Sequence, residues 1–131
     1  MVFYDGYCAL CHATVKFILR NDRAGDAFRL APLQGTTFRA RVPSERRVGL
    51  GDSIVVLTRE DNLLSRSEGI LHVLRQLGGG WEKLAEILGV IPLPLRDAVY
   101  DLIARFRYRV FGRGTNLCPT IAAELLKRFE P

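Results

Sequence analysis

The chain has 131 residues, of which 48% are hydrophobic and 25% are charged, and these totals suit one compact domain with a buried core. They exclude a disordered or a fibrous protein. The net charge of +5 is a mild basic excess, which we interpret as general arginine content and not as a sign of a nucleic-acid partner.

The first half of the chain predicts short strands alternating with helices. Val2–Tyr4 is a β-prone run closed by the turn pair Asp5-Gly6, and a helix fits from about residue 8 to residue 20. A weak second strand is predicted at residues 28–31. A short helix is predicted near residues 37–41, within a stretch that contains several glycines and prolines.

Residues 53–57 form an apolar, mostly β-branched run, which is typical of a central strand covered on both faces. A turn then leads to a short antiparallel partner strand at residues 63–64. Ser65 and Glu68 have the spacing of a capping box and predict a helix that ends at the glycines of residues 78–80.

The rest of the chain is predicted to be helical, with one helix ending at Gly89, a longer one ending at Gly112 and a last one over residues 120–129. In the longer helix, Phe106 and Val110 are predicted to face the core. Its arginines alternate with aromatic residues, as on a nucleic-acid or anionic-lipid surface, but helical spacing favours one solvated stripe. That stripe consists of Arg105, Arg109 and Arg113.

Strand, helix, strand, then a strand hairpin and a helix is the order of the thioredoxin core. We therefore predict an α/β, thioredoxin-like fold, in which a small mixed sheet is flanked by helices and a C-terminal helical extension follows. The whole chain, residues 1–131, is expected to be a single domain, with its core in about residues 1–80 and the extension in about residues 81–131.

Two of the three cysteines, Cys8 and Cys11, form a C-x-x-C motif at the start of the first predicted helix. Three residues apart on a helix, their sulfurs lie on one face and close enough to bridge. The unsatisfied N–H groups and the macrodipole at the helix N-terminus favour a thiolate at Cys8. We expect Cys8 to be the exposed nucleophile and Cys11 the sheltered resolving thiol.

Other chemistry is compatible with the same residues. The motif followed by His12 also matches C-x-x-C-H, the attachment signature of c-type haem, but the only methionine available as an axial ligand is Met1. A zinc site would need a second ligand pair, which the sequence lacks. Its ligands would be Cys8, Cys11, Cys118 and either His12 or His72. Two buried cysteines acting as small hydrophobes are a further alternative, and the strand–turn–helix context favours redox chemistry over all three.

Asp5 has two interpretations. It could accept the proton of Cys11 in the resolving step, if burial raises its pKa, or it could cap the turn before the helix. His12 could tune Cys11, although we favour a partly exposed helix histidine. Cys118, which precedes Pro119, could form an alternative disulfide, although we favour a buried residue at a helix end.

Residues 3–11, FYDGYCALC, resemble the signature of the DCC family of predicted thiol–disulfide oxidoreductases, named for one Asp and two Cys; Asp5, Cys8 and Cys11 fall on those positions. Residues 28–34, residues 52–54, residues 105–113 and Cys118-Pro119 also resemble the family. The resemblance implies a thioredoxin-like fold and dithiol exchange, and it supplies no substrate. Thioredoxins carry a cis proline before the central strand, whereas Gly51-Asp52 stands there in this chain, which leaves the mode of substrate docking open.

We therefore predict a protein thiol–disulfide oxidoreductase that uses no organic cofactor and no metal. Its substrate would be a disulfide-bearing protein or a small thiol compound, and its electron donor a dithiol protein or glutathione. The alternative is a non-catalytic thioredoxin-like binding module with a basic helical surface. The first residues show no basic region before a long apolar stretch, and residues 87–103 are interrupted by prolines and charges, so we expect a cytoplasmic protein without a membrane span.

Overall fold

The computed structural model of the protein describes residues 1–50, 54–110 and 126–131, except for the side chains of Tyr108 and Leu126. Several predictions concern residues outside these ranges. They are the start of the central strand at Asp52-Ser53, the end of the long helix at Gly112, Arg113, Cys118-Pro119 and most of the helix at residues 120–129.

The described residues form a mixed four-stranded sheet with helices on both faces. In chain order the elements are β1 (Val2–Tyr4), α1 (Ala9–Asn21), β2 (Leu30–Pro32), α2 (Thr36–Arg41), α3 (Ser44–Arg47), β3 (Val55–Leu57), β4 (Leu63–Ser65), α4 (Arg66–Leu77), α5 (Gly79–Gly89), α6 (Leu93–Val110) and a 3₁₀ turn (Leu126–Arg128). The strand order is β2-β1-β3-β4, with β1 parallel to β2 and β3 antiparallel to both of its neighbours. This is the thioredoxin-like arrangement, so the predicted fold class is confirmed.

The two faces of β1 are buried in different clusters, because successive side chains of a strand point to opposite sides. Val2 and Tyr4 pack in a cluster with α1 and α4. Phe3 packs on the other face with α2, where the Phe38 ring lies 4.9 Å from it at the centroids. The central strand β3 is likewise buried on both faces, as its apolar run predicts.

The start of α4 differs from the predicted capping box. Ser65 precedes the helix, but its side chain makes no capping hydrogen bond. Ser65 is also the last residue of β4, where it pairs with Val55 and has extended backbone angles of φ −135° and ψ 167°. Sheet pairing therefore determines its conformation. The end of α4 agrees with the prediction, because Gly78 follows it with φ 70°, a left-handed value that favours glycine.

The orientation of α6 contradicts the prediction. Phe106 and Val110 are 46% and 70% exposed, so they do not face the core. Arg107 is buried instead, while Arg105 and Arg109 are exposed as predicted. The helix rests on α4 and α1 through a narrow face that includes Tyr100 and Arg107, and this leaves most of its apolar side chains in solvent. Among the described residues, no helix is both long and apolar enough to cross a membrane.

Candidate active site

Cys8 lies at the N-terminal end of α1, where the sequence placed it. It is the N-cap residue, with an extended backbone at φ −101° and ψ 118°. Its N–H donates to the carbonyl of Asp5 at 3.3 Å, which closes the turn after β1, and its carbonyl accepts the first helical bond, from His12 N, at 3.1 Å. Cys8 therefore lies just beyond the C-terminal end of β1 and at the N-terminus of α1, a position that favours negative charge.

The thiols of Cys8 and Cys11 are both reduced and in hydrogen-bond contact with each other. Burial, followed by the hydrogen bond and the charge of the neighbouring Cys8 thiol, raises the pKa of the Cys11 thiol to about 12. A backbone hydrogen bond at Asp5 and the charge of Arg107 act in the opposite direction. Cys11 is thus held in its protonated form at neutral pH.

The expected exposure of Cys8 is wrong. Cys8 is 0% exposed and Cys11 is 4% exposed, so both sulfurs are shielded from solvent. The two residues belong to the core cluster that includes Tyr4, Val15 and Ile54. The cysteines lie in this cluster beside β1 and the residues around β3, which residue spacing along α1 could not indicate.

Asp5 is buried directly before the dithiol, with 3% of its surface exposed. Its Oδ1 accepts hydrogen bonds from Tyr7 N at 3.0 Å and from Gln34 Nε2 at 2.9 Å. Its Oδ2 lies 3.9 Å from Nη2 of Arg107, whose side chain is also buried. Asp5 therefore shapes the turn before Cys8, as its structural interpretation predicts, and it places a carboxylate beside the dithiol.

Two residues of α6, Tyr100 and Arg107, also lie near the dithiol, and neither was predicted from the sequence to be a site residue. The Tyr100 hydroxyl accepts the N–H of Ile54 at 3.1 Å. Burial raises the pKa of Tyr100, and the charges of both cysteines act in the same direction. Tyr100 and Arg107 are seven residues apart, which is two helical turns, so the spacing was a signal that they share a face.

His12 is buried and not partly exposed, which corrects the sequence interpretation; 5% of its surface is accessible. Its Nε2 lies 3.0 Å from the carbonyl of Gly6, so this nitrogen is the donor, and its ring packs edge-on against Tyr4 at 5.8 Å. Burial lowers the pKa of His12. The neutral ring therefore stabilises the turn that precedes Cys8, through its hydrogen bond to Gly6.

Comparisons with known proteins identify the family of the chain. The Bacillus subtilis (strain 168) protein YuxK, which is described as uncharacterized, is 32% identical over 136 aligned positions that cover 100% of this chain and 93% of YuxK. A chloroplastic protein of Arabidopsis thaliana, described as a DCC family protein, is 32% identical over 116 positions that cover 88% of this chain and 67% of that protein. No solved structure matches the chain significantly. Residues 2–113 match the DCC1-like thiol–disulfide oxidoreductase family, and the chain belongs to that family.

Proposed function

We propose that this protein is a protein-disulfide reductase whose redox centre is the Cys8–Cys11 pair. The observation that carries the proposal is the contact between the two reduced thiols at the N-terminal end of α1. The family match supports a general thiol–disulfide oxidoreductase role. A helix N-terminus stabilises the thiolate that begins the exchange.

The reaction proceeds through a mixed disulfide. The Cys8 thiolate attacks one sulfur of the substrate disulfide, forms a bond to it, and expels the other sulfur as a thiolate. The Cys11 thiolate then attacks the Cys8 sulfur, so that the Cys8–Cys11 disulfide forms and the second substrate thiolate leaves. Two electrons have moved from the dithiol to the substrate. A dithiol protein or glutathione then reduces the Cys8–Cys11 disulfide, and no organic cofactor takes part.

The second step needs a group that takes the proton of Cys11. Because burial raises the pKa of Cys11 to about 12, this thiol keeps its proton at neutral pH. We assign the proton to the carboxylate of Asp5, which is buried and whose backbone hydrogen-bonds the Cys11 sulfur. Asp5 thus has two roles in the proposal, in the turn and in the resolving step.

Substrate access requires a movement of α6. Both sulfurs are buried, so no substrate disulfide reaches Cys8 in the arrangement described above. Two contacts join α6 to residues next to the dithiol, which we call the dithiol region. They are the hydrogen bond from Ile54 N to Tyr100 Oη and the ion pair of Arg107 with Asp5. Separation of these contacts would open the site, and α6 carries many exposed apolar side chains, among them Val99 and Ile103.

The test measures the reduction of a small disulfide by the protein with excess glutathione. We expect Cys8→Ser to abolish turnover. With glutathione left out, Cys11→Ser is expected to stop at a mixed disulfide on Cys8, which mass spectrometry detects, because no second thiol then attacks it. Cys118→Ser is the matched control and is expected to retain turnover. Undiminished turnover in the Cys8→Ser variant would refute the assignment.

A separate experiment tests Asp5. In Asp5→Asn, a single turnover with a disulfide substrate is expected to accumulate the mixed disulfide, and its resolution is expected to depend more steeply on pH than in the wild type. Gln34→Leu is the control, because it removes one hydrogen bond to Asp5 but keeps the carboxylate and the charge of Arg107. If both variants resolve the mixed disulfide at the wild-type rate and with the wild-type pH profile, Asp5 is a structural residue only.

A second candidate function is a non-catalytic binding module, which the exposed apolar side of α6 favours. It predicts that a Cys8→Ser and Cys11→Ser double variant keeps the biological role, whereas charge reversal at Arg105 and Arg109 abolishes it. The reduction potential separates the two functions. A working oxidoreductase has a reversible two-electron couple between about −120 and −270 mV, and a binding module needs none.

A further inference from the structure

An apolar groove of about 400 Å³ lies between α4, α5 and α6. Its surface is almost wholly apolar, and its volume falls within the range of about 300 to 1,000 Å³ that is usual for ligand sites. Six of its aliphatic lining residues are Ile70, Leu71, Leu88, Ile91, Val99 and Ile103.

The groove borders the dithiol region. The Tyr100 side chain lines the groove, and its hydroxyl accepts the N–H of Ile54, a member of the core cluster that contains both cysteines. Ile70 lines the groove as well and packs against the same cluster. A molecule in the groove therefore lies against two side chains that contact the cluster containing Cys8 and Cys11.

Several apolar side chains in the walls of the groove are not covered by other described residues. Leu95, Val99 and Ile103 are 57%, 52% and 52% exposed, although aliphatic side chains of this size are usually buried in a domain of this kind. Exposed apolar patches of this extent mark interaction sites. Ser67, Tyr100 and Arg96 also line the groove, and the Nε–H of Arg96 is buried and has no hydrogen-bond partner in the part of the chain that the structure describes.

The position of the groove argues for the polypeptide substrate of the dithiol as its occupant. Tyr100 and Ile70 line the groove, and both contact the core cluster that contains Cys8 and Cys11. An extended peptide bound there offers apolar side chains to the walls and a carbonyl oxygen to the Nε–H of Arg96.

We propose that the groove between α4, α5 and α6 binds the apolar residues next to the disulfide of a polypeptide substrate. The inference rests on the proposed function and adds the substrate class to it, namely polypeptides whose disulfide is flanked by aliphatic residues. Such segments are accessible in incompletely folded proteins and buried in folded ones. Binding beside Tyr100 places the substrate against α6, whose Arg107 pairs with Asp5 next to the dithiol.

The test compares three disulfide substrates. Two are peptides of equal length with one disulfide each, flanked by Leu and Val in the first and by Ser and Gln in the second; the third is hydroxyethyl disulfide. We expect the wild type to show a kcat/KM about tenfold higher for the apolar peptide than for the polar one, because one or two aliphatic side chains are removed from water. Val99→Asp and Ile103→Asp are expected to abolish this preference and to retain turnover of hydroxyethyl disulfide.

Val48→Asp is the matched control, because Val48 is 84% exposed and lies outside the groove. It is expected to keep the wild-type preference. Equal kcat/KM of the wild type for both peptides, or a preference that survives in Val99→Asp and Ile103→Asp, overturns the inference.

A binding measurement keeps the inference separate from the proposed function. If the wild type reduces none of the three substrates, the proposed function fails, and the groove is tested by calorimetry with the apolar peptide carrying Ser in place of Cys. Binding that Val99→Asp weakens at least tenfold supports the inference, and absence of binding overturns it. Binding to phosphatidylcholine vesicles in place of the peptide, or concentration-dependent dimerisation that Val99→Asp removes, also overturns it and assigns the groove to a lipid or to a second copy of the chain.

Discussion

Arg107 on α6 and Asp5 after β1 form a buried ion pair, with Arg107 Nη2 3.9 Å from Asp5 Oδ2. The side chains are 7% and 4% exposed, so neither charge is well hydrated. The pair joins the helical extension to the turn that carries the dithiol. It also lies beside Cys11, whose pKa the charge of Arg107 lowers.

Arg107→Met is therefore expected to destabilise the protein. It leaves the Asp5 carboxylate buried without this cation, and breaking a buried pair in this way costs about 3 kcal/mol. Urea denaturation of the reduced protein measures the change in the free energy of unfolding. Arg105→Met, on the exposed side of the same helix, is the control and is expected to change it by less than about 0.5 kcal/mol. Equal stability of the two variants would show that the ion pair contributes nothing.

Tyr100→Phe is expected to expose the dithiol. It removes the acceptor of the Ile54 N–H, and a hydrogen bond of this kind contributes about 1 kcal/mol, which corresponds to an opening equilibrium shifted about fivefold. The rate of iodoacetamide labelling of Cys8 and Cys11, followed by mass spectrometry under native conditions, should rise by that factor. Tyr7→Phe serves as the control, since Tyr7 is 54% exposed. Identical labelling rates in the two variants would mean that the Tyr100 hydroxyl does not hold α6 closed.

His12 is expected to make the free energy of unfolding fall as the pH is lowered. Burial lowers its pKa below the ordinary value of 6.5, so the unfolded chain binds a proton at a higher pH than the folded protein does. The contribution is fully present above about pH 6.5 and is lost as the pH falls below it. In a His72→Gln background, adding His12→Gln should flatten the fall of the unfolding free energy between pH 7 and pH 5, because Gln still donates to Gly6 O. An unchanged slope would contradict the lowered pKa.

Gly35→Ala is expected to displace the C-terminus. A Cβ at Gly35 would lie 2.7 Å from the carbonyl carbon of Pro131, which is closer than atoms can approach. The last residue cannot move freely, because its oxygen accepts the N–H of Thr37 at 2.8 Å and Glu130 N donates to Leu30 O at 2.8 Å. We expect a loss of about 1 to 3 kcal/mol in thermal or urea unfolding.

Gly80→Ala is the control for this substitution. Gly80 lies in α5, and a Cβ there meets nothing within 4 Å. Alanine at that position is expected to be neutral or to stabilise the helix by up to about 1 kcal/mol. If Gly35→Ala is as stable as Gly80→Ala, the C-terminal residues do not pack tightly against β2.

The sequence predicted the elements that depend on local patterns. The helix that begins after Cys8, the buried strand β3 and the glycine end of α4 follow from residue spacing, side-chain branching and backbone freedom. Where a residue serves two elements, local rules failed. Ser65 has capping-box spacing, but its pairing with Val55 in the sheet determines its conformation.

By itself, the sequence determined that Cys8 and Cys11 share the first turn of a helix behind a β-strand, because that depends only on residues close together in the chain. Only the tertiary structure decided that both sulfurs are buried, that Arg107 pairs with Asp5 and that Phe106 faces solvent. These features depend on how α6 packs against α1 and α4. Helical periodicity predicts which residues share a face but not which of two faces the rest of the protein covers, because side-chain packing from distant parts of the chain makes that choice.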